Sequence, residues 1–367
     1  MLRAVALRVL HVDTEHGWRG GERQALWLAQ ELERAGHHSI LAARRDEPLA
    51  QRARDAGLHV LDAAPRSELD LLAARAIRRA IRRERVDIVH AHTAHAVALA
   101  AFATIGTNVP FVVSRRVDFP LRANVGTRWK YGRAARVVAI SGAVARVLEA
   151  SGIARDRIAV VPDGVDLHRT VVPAAPATLA SLGLRPGRPL VVQVAQLVGH
   201  KDPINFVRAV ARARASAPGI QALLVGDGPL RDEVESEIAA LGMRDTLILA
   251  GYRPDADALL AAADVAVLSS REEGMGSVLL DALAFGVPAA ATRAGGIPEI
   301  VADGESGLLA DVSDPDALGG AIARLVTDRE LHKRMSAASR ARAPRFSMER
   351  TAELTLAIYE RVLADAG

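Results

Sequence analysis

The chain has 367 residues, half of them hydrophobic but only 3% aromatic, with a net charge of +4 and no cysteine. That length suits two domains rather than one core. The lack of cysteine excludes disulfides, thiolate chemistry and Cys-based zinc sites, and no stretch approaches the ~20 apolar residues of a membrane span.

The opening segment, MLRAVALRVLHVD, has a short apolar run broken by Arg8 and no small-residue cleavage site. It reads as a first buried strand and not as a signal peptide, so a cytoplasmic protein, or one peripheral at the cytoplasmic membrane face, is expected. Strands are predicted at Leu7–Asp13, Ser39–Ala43, Val86–Ala91, Phe111–Ser114, Arg136–Ile140 and Ile158–Val161. Helices fall between them, for example Glu22–Arg34 and Asp70–Glu84. Strands alternating with helices of this length imply an α/β fold whose parallel sheet is covered on both faces.

Several segments of this half carry chemistry. In DTEHGWRGGER, Asp13 to Arg23, Gly20 and Gly21 stand at a helix start, where backbone can approach a ligand closely; the spacing is not the dinucleotide GxGxxG. ARAIRRAIRRER, Ala74 to Arg85, puts six arginines on one predicted helix. They form either a solvated face or a patch for anionic lipid or an anionic acceptor. No aromatic platform interleaves them, so no nucleic-acid partner is expected. In Val89 to His95, VHAHTAH, strand alternation sends His90 and His92 to the same side. A residue facing a cleft, a structural histidine and a metal ligand are the three readings, and no second cluster of suitable ligands accompanies them.

Residues 171–189, VVPAAPATLASLGLRPGRP, contain four prolines and read as a linker. The alternation then restarts with strands at Leu190–Ala195, Gln221–Val225, Thr246–Leu249, Asp264–Leu268 and Ala289–Ala291. Helices are predicted at about Ile204–Ser216, Leu230–Leu241, Ala256–Ala262 and Ser277–Phe285, with a last one at Met348–Leu363. Charge divides along the same line: residues 1–170 hold 27 Lys/Arg against 18 Asp/Glu, and residues 171–367 hold 20 against 25. Asp255-Ala256-Asp257 and Asp314-Pro315-Asp316 look like metal-binding Asp-Xaa-Asp triplets, but each precedes a helix, where capping is the expected role.

The densest signal is EEGMGSVLLDALAFGVPAAATRAGGIPEIVADG, residues 272–304. A glycine-rich turn, Gly274-Met275-Gly276, leads from a strand into a helix beginning near Ser277. Exposed N–H groups and the positive helix end suit an anion there. Glu273 stands before that point and Asp281 about two turns beyond it. Phosphates held between two hydroxyl-binding carboxylates describe a nucleotide sugar better than a bare nucleotide.

This segment resembles the nucleotide-sugar signature of family 4 of the glycosyltransferases, the retaining enzymes of GT-B fold. Glu273 matches the first glutamate, Gly286-Val287-Pro288 the following strand, and Gly295-Gly296-Ile297-Pro298-Glu299 the closing turn. The second glutamate is replaced by Asp281, one methylene shorter. The resemblance implies two Rossmann-like domains with parallel sheets facing a central cleft. Residues 1–170, with a terminal helix at about 348–367 crossing back, would handle the acceptor, and 171–347 the donor. It implies His92 at the sugar, Glu273 on sugar hydroxyls, Asp281 on the ribose and Lys201 on the diphosphate. Gln196 stands where the family has a second phosphate-binding residue, an arginine. Gly20, Gly21, Tyr252, Arg253, Gly274, Met275, Gly276 and Ser277 complete the implied donor set, and Val225 to Leu230 resembles a further family turn. Ser114 to Ser141 is similar to bacterial enzymes that glycosylate lipopolysaccharide core or related envelope glycans, which places Arg115 and Arg116 on the acceptor side. The expected partners are a nucleotide sugar and a glycan or glycolipid acceptor, with peripheral membrane contact through the basic half. No metal and no cofactor are expected. A same-fold sugar-nucleotide epimerase or phosphorylase is one rival reading, and the replacements at 196 and 281 keep a second, a nucleotide-binding paralogue without turnover.

Overall fold

The computed structural model describes residues 6–366; residues 1–5 of the opening segment and Gly367 lie outside the described residues. The chain divides into two compact units. One takes the residues up to Gly164 together with the helix from Met348 onward, and the other is Val165–Ser347.

The first unit is built on a seven-stranded, wholly parallel sheet. Its strands are β1 (Arg8–Val12), β2 (His38–Ala43), β3 (His59–Asp62), β4 (Ile88–Ala91), β5 (Phe111–Arg115), β6 (Arg136–Ala139) and β7 (Ile158–Val160), in the order 3-2-1-4-5-6-7. The second unit carries a six-stranded parallel sheet: β8 (Leu190–Val194), β9 (Gln221–Val225), β10 (Leu247–Gly251), β11 (Val265–Leu268), β12 (Ala289–Thr292) and β13 (Gly307–Ala310), ordered 10-9-8-11-12-13. Central strands such as FVVSR (β5) and QALLV (β9) are buried at every position, as a strand covered on both faces requires.

Both sheets share one topological feature. The chain runs outward from β1 through β2 to β3, then returns to place β4 on the other side of β1; β8 to β11 repeat the pattern. At such a reversal adjacent connections leave toward opposite faces, and a crevice opens beyond the carboxyl ends of the two strands.

The terminal helix Met348–Ala366 belongs to the first unit. Met348, Ala352, Tyr359 and Val362 bury against Val9, Ile88, Val112 and Leu32. Gly164 lies against it so closely that a Cβ there would meet Thr351 Oγ1 at 2.7 Å and Met348 Cα at 2.9 Å. Gln24 fixes Gly164 from the other side, donating to its carbonyl at 2.6 Å and accepting from its N–H at 2.9 Å.

Three sequence readings need correction. β3 and β13 were not anticipated: each has four residues at a sheet edge, too short and too little apolar to stand out. Residues 171–189 are not a free linker, since the helix Pro176–Ser181 forms within them and Leu184 buries in the core of the second unit. Its proline sits in the first helical turn, where a missing N–H costs nothing.

Tyr359 is fully buried, and its hydroxyl meets His90 Nδ1 at 2.6 Å. Tyr359→Phe keeps the packing but leaves that imidazole nitrogen unpaired. Urea unfolding should show a loss of about 1–3 kcal/mol with unchanged far-ultraviolet dichroism; a variant as stable as the parent would show that the bond anchors nothing.

Candidate functional site

In the second unit, the loops after β8 and β11 meet at the strand-order reversal, because the two strands are hydrogen-bonded neighbours with Val191 beside Val265. Lys201 ends the short 3-10 turn Gly199–Lys201, and Glu273 precedes the helix Ser277–Phe285. Their side chains form a salt bridge, at 22% and 12% exposure. Ser270 Oγ also donates to Glu273 Oε2, at 3.2 Å. The two loops are tied through the backbone as well, since Arg271 N–H donates to the His200 carbonyl at 2.8 Å.

Asp202 locks the lysine loop. It takes a left-handed conformation at φ 46° and caps the helix Pro203–Ser216 by accepting from Asn205 N–H. It also accepts from Arg271 Nε at 2.6 Å. Lys201 therefore projects from a braced turn. Gly276 adopts φ +89° at the start of the helix Ser277–Phe285, and no side chain caps that helix end. Nine residues of aligned peptide dipoles that end on a start without a side-chain cap suit an anion.

The other implied donor residues fall as follows. Met275 is 1% exposed, so its side chain belongs to the core and only its backbone is available to a ligand. Tyr252 is 68% exposed, and Arg253 pairs with Asp255 at 2.7 Å. Gln196 is exposed on the loop after β8. Asp281 is buried and accepts from Arg169 Nη2 at 2.8 Å, while Arg169 Nη1 also pairs with Asp257. Nothing in the sequence pointed to Arg169. The expected caps are half corrected: Asp314 accepts from Ala317 N–H as a cap should, but Asp255 caps nothing and is held by Arg253. Both carboxylates of Asp255-Ala256-Asp257 are thus taken up by arginines.

In the first unit the same reversal collects imidazoles. The β1–β4 register sets His11 beside His90, and alternation adds His92 on the same side, its ring 4.1 Å from that of His90. Arg116 Nη1 donates to His92 Nδ1 at 3.2 Å, and its Nε pairs with Asp163 at 3.2 Å. A guanidinium can only donate, so His92 carries its proton on Nε2 and donates to His11 Nδ1, 3.0 Å away. His11 is then protonated on Nε2. One arginine thereby sets the tautomers of two histidines in sequence. His90 is held between Tyr359 Oη at 2.6 Å and Ser114 Oγ at 2.8 Å.

The ligand atoms of these three histidines lie within 4.8 Å of one another, yet the donor set does not suit a metal. His92 and His11 each present one protonated nitrogen and one lone pair already accepting a hydrogen bond, and both nitrogens of His90 are engaged. The expectation that His92 faces a sugar also meets an obstacle: it is 5% exposed, and contact with a ligand requires it to surrender Arg116 or His11. Arg115, 8% exposed, donates to the Phe119 carbonyl at 2.7 Å, so its guanidinium serves the loop. Gly20 and Gly21 open the helix Gly20–Arg34. A Cβ on Gly21 would meet only Arg116 Cδ at 3.9 Å, so the unit itself does not demand glycine there.

Two family models match the chain: Glycosyltransferase Family 4 over residues 18–169 and Glycosyl transferases group 1 over residues 176–342. The 2-deoxystreptamine glucosyltransferase of Streptomyces kanamyceticus is 31% identical over 76% of this chain and 72% of its own length. The D-inositol 3-phosphate glycosyltransferase of Nocardia farcinica is 35% identical over 77% of this chain, which spans 62% of that relative. In fold, the chain matches Anabaena Alr3699/HepE, whose structure holds UDP, with a TM-score of 0.83 at 20% identity, covering 97% of this chain and all of the other. The chain belongs to the family 4, group 1 glycosyltransferases.

The buried cluster makes a pH prediction. Burial first, then the neighbouring imidazoles and Arg116, pushes His90 and His92 well below 6.5, and burial with Arg116 takes His11 down to about 3. Below pH 6.5 the unfolded chain takes up protons that these histidines refuse, so stability falls with pH by about 1.4 kcal/mol per unit for each. Asp13 has the opposite sign. Burial, then Glu22, raises its carboxyl from 3.8 to about 7, so its contribution is full below 3.8 and lost as pH rises through 7. Urea midpoints at pH 7.5, 6 and 5 should fall with acidification, and more steeply in Asp13→Asn, which lacks the opposing proton. Parallel slopes in the two proteins would contradict this assignment.

Proposed function

We propose that this protein is a metal-independent, retaining glycosyltransferase that moves a sugar from a nucleoside-diphosphate sugar to a hydroxyl acceptor. The observation that carries the reading is the Lys201–Glu273 pair beside the uncapped helix end at Gly276, set at the β8–β11 reversal. In this reading Lys201 and the helix end take the diphosphate, Glu273 turns to the sugar hydroxyls, and Tyr252 and Arg253 lie toward the base. The salt bridge keeps both charges partnered until a donor arrives. The diphosphate then replaces the carboxylate on the lysine, and the sugar replaces the lysine on the carboxylate. Catalysis rests on stabilising charge as the diphosphate leaves and on holding the reactants in place.

The first unit is proposed to receive the acceptor, while Gly20 and Gly21 give backbone access to the donor, with the ordered His92–Arg116 group beside their loop. A glycan or glycolipid acceptor is favoured by the surface around the helix Leu71–Arg83. Leu69, Leu71 and Leu72 are 72%, 52% and 74% exposed, next to the arginine-rich helix face, an arrangement suited to an anionic membrane surface. No helix among the described residues is long and apolar enough to cross a membrane. A cyclitol acceptor is the second reading, favoured by the names of the two relatives, one acting on inositol phosphate and the other on deoxystreptamine.

Nucleotide release from a panel of UDP, GDP and ADP sugars, with and without cyclitol and lipid-linked acceptors, tests the activity. Lys201→Ala should lower transfer by on the order of a hundredfold or more, the cost of one charge-stabilising donor, with unchanged dichroism. Near-parental turnover would remove Lys201 from the diphosphate.

The metal requirement is separately testable. The Asp255-Ala256-Asp257 carboxylates are held by arginines, so full activity is expected in excess EDTA. Loss on chelation with recovery in Mg²⁺ or Mn²⁺, which bind such sites through few protein ligands, would overturn the metal-independent reading.

A further inference from the structure

A cavity of about 520 Å³ lies in the second unit, at the opposite end of its sheet from the candidate site. Lys201 and Glu273 follow the carboxyl ends of β8 and β11. The cavity is set at the amino ends, against Leu190 at the start of β8, Gln221 at the start of β9 and Asp264 just before β11. These strands have four or five residues each, so roughly 15 Å of sheet separates the two places. The polar lining of the cavity is basic: Arg185, Arg188, Arg329, Lys333 and His332 stand against one carboxylate, Asp264. Asp264 Oδ2 already accepts from the Leu190 N–H at 2.8 Å. Lys333 pairs with Glu330 at 3.0 Å, both well exposed, a contact of little worth. The side chains of Arg185, Arg188 and Arg329 are exposed and have no hydrogen bond or ion pair among the described residues.

The backbone holds these cations in place. In Arg185-Pro186-Gly187-Arg188-Pro189 each arginine precedes a proline, which confines it to extended conformations while the proline φ is fixed. Gly187 turns the chain between them at φ +76°. Gln221, buried, clamps Arg185 through both backbone groups, accepting from its N–H at 2.6 Å and donating to its carbonyl at 2.9 Å. Arg329 is placed against helix electrostatics. It opens the helix Arg329–Arg342, whose positive end favours acidic side chains; Asp328 caps that helix, and Arg329 adds a cation beside the cap. His332 is fixed by Nε2, which donates to the Asp264 carbonyl at 2.8 Å. In its neutral form Nδ1 then offers a lone pair to a hydroxyl.

We propose that this cavity is a second ligand site, one that takes a small phosphorylated metabolite of the sugar-phosphate class, with its phosphate among Arg185, Arg188 and Arg329. Four cations against one partly occupied carboxylate set the sign of the ligand, and planar guanidiniums suit phosphate oxygens. The volume falls in the range of small-molecule pockets, ~300–1,000 Å³, and leaves room beyond a bare phosphate. Leu179, Leu184, Leu325 and Val326 supply an apolar wall for a carbon skeleton. No aromatic side chain lines the cavity among the described residues, so a nucleobase has no ring to stack on. The site shares no residue with the Lys201–Glu273 pair and stands whether or not the nucleotide-sugar reading does.

Calorimetry on the full chain tests this, with ribose 5-phosphate as the probe and ribose and inorganic phosphate as controls. Ribose 5-phosphate should bind saturably, ribose should not bind, and inorganic phosphate should bind roughly tenfold more weakly for want of the wall contacts. Arg185→Gln, Arg188→Gln and Arg329→Gln should each weaken ribose 5-phosphate by about tenfold or more, the worth of a charged hydrogen bond, and the triple variant should not bind it. Because these side chains are exposed and unpaired, the triple variant should melt with the parent when no ligand is present, which separates lost binding from lost fold. Lys201→Ala should bind ribose 5-phosphate as the parent does. No saturable binding by the folded parent up to about 10 mM would overturn the proposal. So would binding that survives in the triple variant and is lost in Lys201→Ala, which would place the phosphate at the candidate site. Equal affinity for inorganic phosphate and ribose 5-phosphate would overturn the sugar-phosphate assignment.

Discussion

The reversal of strand order is the constraint on which the site depends. Lys201 and Glu273 are 72 residues apart, and nothing local brings them together. They meet because β8 and β11 pair side by side while their connections leave in opposite directions. Each loop then stands at the open end of the sheet with no neighbouring connection covering it. The rest is bracing: Asp202 holds the lysine turn, Arg271 holds Asp202, and the His200 carbonyl holds Arg271. A lysine on such a turn starts with less conformational freedom to lose when it takes a phosphate, which is what preorganisation requires.

The first unit meets the same constraint with a different outcome. Its reversal is filled by a buried polar chain, with His11, His90 and His92 neutral and the Arg116 cation against them. Burying an imidazolium in apolar surroundings is costly, and a second positive charge raises that cost, so the histidines stay unprotonated. The arginine charge is answered by Asp163, which is itself buried. What the cluster gains from this cost is order: one guanidinium fixes two tautomers, and Tyr359 of the terminal helix fixes the third ring. Such a network specifies one arrangement of β1, β4, β5 and the terminal helix more sharply than an apolar filling of equal volume.

Central strands were legible because a parallel strand covered on both faces must be an unbroken apolar run. β3 and β13 were not: each is a four-residue edge strand, and β3 has His59 and Asp62 at its ends while β13 opens on Gly307. Residues 171–189 misled because proline signals a linker by composition and a helix start by position, and only packing separates the two. The glycine turn that leads into the helix Ser277–Phe285 was legible in the sequence, because Gly276 takes a positive φ that other residues avoid. The pairing of Glu273 with Lys201, of Arg116 with His92 and of Arg169 with Asp281 was not legible. Each depends on which loops share a sheet end, and spacing along the chain carries no record of that.

The two departures from the family signature have different physical consequences. On the proposed reading, Gln196 in place of arginine removes a full positive charge from the diphosphate end, where Lys201 and a helix end worth about half a charge remain. On that reading the helix Ser277–Phe285 carries a larger share of the neutralisation. Replacing glutamate by Asp281 removes no charge but withdraws the carboxylate into the interior, where Arg169 answers it. The two departures therefore act at separate places in this unit, one on the loop after β8 and the other along the side of the helix Ser277–Phe285.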